Sequence, residues 1–379
     1  MMFLTEEQEL LQKTVRDFAQ EVVKPRAAKF DEQEFIDPDV LRSMGELGLM
    51  GIIFPEKYGG AGMDTLCYII AVEELSRVCA STGITLASHV SLGANPIYLF
   101  GSEEQKETYL PRLCSGGELG SFGLTEPNAG SDAGGTETSA VRVDGGWVIN
   151  GTKMFITNGS SALTSVITAM TDRSKGVKGI SAFLIERGTP GFSVGKKIHK
   201  LGIRGSDTAE LIFENCRVPE SNLLGKENEG FKQFMTILDG GRISIGAMAL
   251  GIAQGAFDEA LKYSRERKQF NQPICNFQAI QFFLADMATE IEAARHLVYH
   301  AARLKDAGKS YSMQASMAKL YASEVATRCC FKSLQIHGGY GYTKEYPIER
   351  MFRDVKVTEI GEGTSEIQRI VIARKLLKI

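Results

Sequence analysis

Apolar positions in the first hundred residues recur with the period of a helix. Thr5 and Gln8 form a candidate capping box, and Leu10, Leu11, Val15, Phe18 and Val22 follow at helical spacing until Pro25, where the helix is expected to stop. Further helices are predicted around Asp39–Leu47 and Asp64–Arg77. The stretch Ala80–Tyr98 is apolar, rich in small residues and free of Lys and Arg, as a buried helix requires. Near Gly120 the character changes to strands separated by turns. Val141 to Ile149 reads as a hairpin turning at Asp144–Gly146, and Ser165–Met170, Ile180–Ile185 and Ala209–Phe213 are further strands, with a turn at Pro190-Gly191. From about Phe231 helices return. Phe277–Leu304 carries a long apolar stripe that includes Met287, Ile291, Ala294 and Val298, Leu320–Leu334 is a second such segment, and Ser365–Leu377 closes the chain.

The expected fold is therefore mainly α with an inserted β domain: residues 1–119 helical, 120–228 β, 229–379 helical. A pocket is expected where such domains meet. Composition narrows the function classes. Among 379 residues the net charge is -3, and Lys and Arg are scattered, so neither nucleic acid nor an anionic membrane surface is an expected partner. Seven cysteines without CxxC spacing signal no metal site, redox pair or secreted disulfide framework. The N-terminus turns acidic at once, unlike a targeting peptide, and no uncharged apolar run nears the roughly 20 residues that span a bilayer. A cytoplasmic protein is expected.

No GxGxxG follows a strand, and neither a Walker loop nor GxSxG is present. Three stretches remain. Leu124 to Asp132 (LTEPNAGSD) places Thr, Asn, Ser and glycine-flanked amides together; it reads either as a surface turn or as a cradle for an anionic or carbonyl-rich ligand. In Lys153 to Gly159 (KMFITNG) strand alternation puts Phe155 and Thr157 on one face, either as plain core or as a ring-stacking edge. Gly361-Glu362-Gly363 precedes the last helix. Thr364 or Ser365 can cap that helix and Glu362 and Glu366 can complement its dipole, but this leaves the paired glycines unexplained. A carboxylate so placed can act as a general base where an apolar pocket raises its pKa.

Leu124–Asp132, Met154–Gly159, Arg265–Phe270, Gln335–Tyr342 and Glu362–Arg369 occur in that order. Tyr58-Gly59-Gly60 precedes them, and Val218-Pro219 with Leu224-Gly225 ends the β region. Together these segments resemble the acyl-CoA dehydrogenase family over essentially the whole chain. The resemblance implies an N-terminal helical domain, a middle β domain and a C-terminal four-helix bundle. It implies non-covalent FAD and oxidation of an acyl-CoA thioester to its 2,3-enoyl form. Glu362 would remove the α-proton and flavin N5 would take the β-hydrogen, with the Glu362 amide and a ribityl hydroxyl polarising the carbonyl.

By the same resemblance Phe122, Leu124, Thr125 and Ser131 line the flavin and the CoA phosphates, and Ser131 touches substrate too. Phe155 and Thr157 flank the flavin ring, Phe155 where many relatives carry Trp. Asp239 and Arg242 belong to a CoA-contacting segment. Arg267, Gln269, Phe270, Gln278, Gln335, Gly338 and Gly339 reach FAD across a subunit boundary, which implies a homotetramer built as a dimer of dimers. Thr364 and Glu366 are further FAD contacts; Ser88, Ser91, Gly361 and Gly363 border the acyl group. Some relatives place their base just before the arginine that matches Arg242, where this chain has Gly241. Relatives acting on glutaryl-CoA place an Arg where it has Gly83, so a neutral acyl tail is expected.

Gly361 stands where many short- and medium-chain relatives have Tyr. The missing ring implies a broader acyl group, branched or alicyclic (cyclohexane-carbonyl-like), unless a neighbour fills the space. The implied acceptor is an electron-transferring flavoprotein. The competing readings are an acyl-CoA oxidase using O2 and a non-catalytic acyl-CoA-binding scaffold.

Overall fold

The computed structural model describes residues 4–378; Met1–Phe3, at the head of the acidic N-terminus, and Ile379 lie outside them. Helix α1 (Glu6–Phe18) starts at the predicted capping box, with Thr5 and Gln8 bonded reciprocally through side chain and backbone. Pro25 does not end the helical path. The chain runs through a π turn at Ala19–Val23 and a 3-10 turn at Lys24–Arg26 into α2 (Ala27–Gln33). Pro25 sits in the first positions of the 3-10 turn, where a missing N–H costs nothing. After α3 (Pro38–Glu46) come α4 (Thr65–Ser76), capped by Asp64 accepting from the Cys67 N–H at 2.7 Å, and α5 (Ala80–Ser88). The α5 path continues through a π turn, His89–Ala94, into α6 (Asn95–Phe100), ahead of α7 (Glu103–Cys114). Every residue of α4 and α5 is buried, which is why their sequences are apolar without a stripe.

The β region forms one eight-stranded sheet. Its strands are β1 (Leu119–Gly123), β2 (Ser139–Val143), β3 (Gly146–Thr157), β4 (Ala162–Met170), β5 (Ile180–Glu186), β6 (Phe192–Lys197), β7 (Thr208–Pro219) and β8 (Leu223–Leu224). Their spatial order is β6-β7-β3-β2-β4-β5-β8, and β1 lies parallel to β4. The predicted hairpin is β2–β3, with Val143 opposite Gly146 and Gly145 at φ +77°. Trp147 meets Phe183 edge-on at 5.4 Å inside the sheet's own core. The alternation expected across Phe155 and Thr157 fails. Lys153 faces Leu211 and Ile156 faces Ala209, so β3 holds one residue more than β7 there, and the bulge puts Phe155 at φ +59°.

Beyond the sheet lie α8 (Gly230–Glu266), α9 (Gln278–Asp306), α10 (Ser312–His337), α11 (Ile348–Val355) and α12 (Ser365–Leu377). A short antiparallel pair, β9 (Lys268–Gln269) with β10 (Gln272–Pro273), links α8 to α9. The fold is that of a four-helix bundle flanking an inserted sheet. Helix α8 is long and apolar enough to cross a membrane by length and composition, but 78% of that apolar window is buried inside the protein. Helix α10 starts eight residues before the predicted Leu320, because its first turns bury Ala315, Ser316, Ala318 and Lys319, which carry little hydropathy.

Two of the joints between the three parts involve Asp306 and His89. Asp306 at the end of α9 accepts from the Thr65 and Leu66 N–H groups at 2.7 and 3.1 Å, capping α4 from another domain. The buried His89 accepts from the Gly120 N–H through Nδ1 at 3.1 Å and reaches the Leu113 carbonyl with Nε2 at 3.1 Å, tying the helices to β1. The second bond assigns the proton to Nε2. Burial holds the ring neutral, with its pKa pushed from 6.5 down to about 4.

The unfolded chain takes up this proton below pH 6.5, which the folded chain refuses until about pH 4. The stability due to His89 is therefore complete above pH 6.5 and falls across that window, by on the order of 3 kcal/mol. His89→Gln keeps a donor and an acceptor but does not titrate. In thermal unfolding the wild type's advantage over it should be constant above about pH 6.5 and shrink steadily from there to pH 4.5. A gap that stays constant with pH contradicts the neutral, two-bond assignment.

Candidate active site

The last helix begins at a strained turn. Thr364 caps α12 by accepting from the Ile367 N–H at 3.3 Å, and Glu366 complements its first turn from an exposed position. Immediately before the cap Glu362 has φ +54° and Gly363 φ +96°. Glycine tolerates this region, whereas glutamate adopts it only where the surroundings hold it. The Gly363 carbonyl accepts from Lys319 Nζ and from Gln368 Nε2, both at 2.8 Å, and both side chains are buried.

This turn carries the Glu362 carboxylate against α8. A Cβ built on Gly241 would lie 2.0 Å from Glu362 Oε2, so the carboxylate fills the place where a side chain at 241 would start. Oε2 is buried and has no hydrogen-bond partner among the described residues. Burial pushes the carboxyl up to about 7, while Lys319 and Arg242 pull it the other way. Lys319 answers in kind: burial lowers its ammonium to about 8, opposed chiefly by Glu362. Arg242 pairs with Asp239 on its own helix, and its buried Nε has no partner among the described residues. A carboxylate so poised, with one oxygen shielded while the residue as a whole stays partly exposed, can accept a proton at neutral pH.

Of the substrate residues read from the sequence, Asp239, Arg242, Gly361 and Gly363 converge here, and Ser91 is drawn in from the N-terminal helices. Ser91 donates to the Ala87 carbonyl at 2.6 Å and neighbours the buried Tyr68 hydroxyl, which also feels the charge of Glu362. Leu92 approaches Gly241 to 3.4 Å from its Cβ position. Ser88 is buried one turn earlier on the same path.

The middle-domain loop is seated from beneath. The buried Lys153 donates to Glu126 Oε1 at 2.7 Å, to Thr168 at 3.1 Å and to the Leu124 carbonyl at 3.3 Å. Glu126 also accepts from the Glu137 and Thr138 N–H groups, and the Thr125 carbonyl accepts from the Met154 N–H at 2.8 Å. Leu124 and Thr125 are thus fixed at its base while Ser131 stays exposed. Phe122 stacks on Phe234 at 4.0 Å, so its ring packs the sheet against α8. Phe155 is 62% exposed and Thr157 lies half-buried beyond the bulge.

A third group lies apart from Glu362. Arg267, Gln269, Gly338, Gly339 and Tyr340 line an open cavity of about 530 Å³. Arg267 lies over the Tyr340 ring at 5.5 Å, Phe270 is 85% exposed, and Gln278 and Gln335 are exposed on α9 and α10. The sequence reading missed Lys319, Gln368, Tyr68 and Lys153. The first gave no signal, because a lone lysine among Ala315, Ala318 and Ala322 lowers the hydropathy by which that buried stripe would be recognised.

Three family models match the chain. They are the acyl-CoA dehydrogenase N-terminal domain over residues 5–117, middle domain over 121–216 and C-terminal domain over 228–377. The chain belongs to the acyl-CoA dehydrogenase family. A short-chain specific acyl-CoA dehydrogenase of Clostridium acetobutylicum is 56% identical over 375 residues, 99% of each chain. The structure of butyryl-CoA dehydrogenase from Megasphaera elsdenii matches with a TM-score of 0.97 at 49% identity, covering 100% of both chains. A chain in the structure of the electron transferring flavoprotein of Acidaminococcus fermentans matches with a TM-score of 0.98 at 54% identity, again over 100% of both.

This acyl-CoA dehydrogenase is an FAD-dependent oxidoreductase acting on a CH–CH group. Its residues fit that cofactor. A Cβ at Gly338 or Gly339 would meet nothing, so the backbone beside Arg267 is open to a close ligand, and Phe155 offers an uncovered ring.

The loop that carries Thr125 depends on one buried ion pair. Lys153→Met would leave the Glu126 carboxylate buried without its cation, at a cost of about 3–5 kcal/mol. Denaturant unfolding should register that loss, and adding Glu126→Gln should recover a large part of it. No recovery in the double variant would show that Lys153 acts through packing alone.

Proposed function

We propose that this acyl-CoA dehydrogenase uses Glu362 as the base that removes the α-proton of a neutral, short acyl-CoA, and that it has room beside the reacting carbons for a branched or alicyclic acyl group. One observation carries the assignment: Glu362 Oε2 is buried and has no partner among the described residues, on a carboxyl poised near neutrality. The Glu362 N–H has no acceptor among the described residues, which leaves it for the thioester carbonyl oxygen, where charge develops as the proton departs. Bound FAD supplies the acceptor for the β-hydrogen.

The acyl group is argued from what the pocket lacks. No Lys or Arg occurs from Cys79 to Gln105. A Cβ at Gly83 would sit 1.9 Å from Ser76 Oγ, so position 83 has no room for a cationic side chain that would pair a distal carboxylate. Likeness to a butyryl-CoA dehydrogenase supports a short chain. Gly361 supports the added width: its Cβ would meet only Val357, at 3.4 and 3.8 Å, and its φ is outside the left-handed region. The backbone there does not demand glycine, so the space is a matter of shape.

The match to a chain from an electron transferring flavoprotein structure supports such a flavoprotein as electron acceptor. Exposed Phe270 and the cavity beside Arg267 and Gly338 lie apart from Glu362, which supports FAD contacts completed by a second copy, in a dimer of dimers.

Anaerobic addition of butyryl-CoA should bleach the flavin, and kcat/KM should rise with pH through about 7 as Glu362 loses its proton. Glu362→Gln should bind FAD and thioester yet reduce flavin several thousandfold more slowly; near-native reduction would remove the base from Glu362. Gly361→Tyr adds a ring where about 1–3 kcal/mol of overpacking falls on a wide acyl group, shifting the cyclohexanecarbonyl-to-butyryl ratio of kcat/KM about tenfold or more. An unchanged ratio leaves an ordinary linear short-chain pocket.

A further inference from the structure

We propose that Lys319 and Gln368 are positioning residues for the reaction: their shared grip on the Gly363 carbonyl fixes the left-handed turn that presents Glu362 to substrate. Two consecutive residues, Glu362 and Gly363, hold positive φ, and glutamate leaves that region unless its surroundings over-determine it. The restraint comes from two fully buried donors, Lys319 Nζ on α10 and Gln368 Nε2 on α12, each 2.8 Å from the one carbonyl. Gln368 also reaches the Glu362 carbonyl at 3.4 Å.

Lys319 belongs to a polar row on an otherwise apolar face. At successive turns of α10, Lys319, Ser323 and Thr327 each bond the segment that leads into the site. Lys319 holds Gly363, Ser323 donates to the Thr358 carbonyl at 2.8 Å, and Thr327 donates to Glu359 at 2.6 Å. Spacing of four residues puts the three on one side of the helix, so α10 grips residues 358–363 along their length. For packing alone, a Leu or Met among Ala315, Ala318 and Ala322 would serve better than a buried ammonium.

The charge at the end of this row has its own consequence. The groups facing Glu362 are Lys319 from α10, Arg242 from α8 and Tyr68 from α4. Arg242 already pairs with Asp239, whereas Lys319 hydrogen-bonds a carbonyl rather than a carboxylate. Glu359 and Glu366 also act on Lys319, after Glu362 and Arg242. Lys319 thus couples geometry to charge: the side chain that fixes the turn also favours the ionised base beside it.

The proposal rests on Glu362 as the base, so Glu362→Gln is run alongside; its retention of turnover would remove that assignment and the proposal with it. The holoenzyme and two variants, Lys319→Met and Gln368→Leu, are compared by kcat per bound flavin, KM, thermal midpoint and the pH profile of kcat/KM. Lys319→Met should lower kcat at least tenfold with little change in KM, and shift the acidic limb to higher pH, because the cation that acts most on the base is gone. Gln368→Leu should lower kcat by a similar factor with the limb in place, because it removes a neutral donor. Should Lys319→Met not fold, Gln368→Leu decides on kcat alone, at a thermal midpoint near that of the wild type. Unchanged kcat per flavin in the folded variants, or a Lys319→Met limb that stays in place, would overturn the proposal and leave both residues as ordinary packing.

Discussion

A carboxylate with one oxygen taken out of water, and without a hydrogen-bond partner for it among the described residues, is the constraint around which this site is built. Burial alone would hold Glu362 protonated and useless as a base; a tight ion pair would hold it ionised and weakly basic. Between these limits lie Lys319 and Arg242, cations that lower the carboxyl without forming a salt bridge to it, and the balance falls at about 7. The fold supplies each side of that balance separately. The packed helices bury one carboxylate oxygen, α10 and α8 bring one cation each, and the turn before α12 aims that oxygen.

The glycines then become intelligible one by one. Gly363 takes the φ that the turn requires, and Gly241 is absent side chain, because Glu362 Oε2 occupies its Cβ position to within 2.0 Å. A carboxylate on α8 and one on the turn before α12 would compete for one space. Gly361 has neither need: its φ is ordinary and its surroundings are open, so its effect is on the shape of the pocket. Similar composition on both sides of Glu362 therefore hides two different physical reasons.

Much of this was legible in the sequence. The helical period found α4 and α9, the Asp144–Gly146 turn found the hairpin, and Ser365–Leu377 matched α12 to the residue. Failures arose where local rules met tertiary context. Pro25 was read as a stop, but it starts a tighter turn that keeps the path helical. Strand alternation assigned Phe155 a face, and a bulge opposite Leu211 and Ala209 turned it away. Glu362 announced itself through its flanking glycines. Lys319 did not, because a lone lysine among alanines lowers the very hydropathy signal by which a buried helix face is recognised. The residues around Arg267 and Gly338 have a cavity of their own, and one chain does not bring them to Glu362.

The most direct test is to watch the carboxyl itself. Infrared difference spectra of wild type against Glu362→Gln, taken across pH without substrate, isolate the protonated-carboxyl stretch of this one side chain. The account predicts a band that titrates with a midpoint near pH 7 and is missing from the variant. A midpoint near 4.5, the ordinary value for a solvated glutamate, would contradict it.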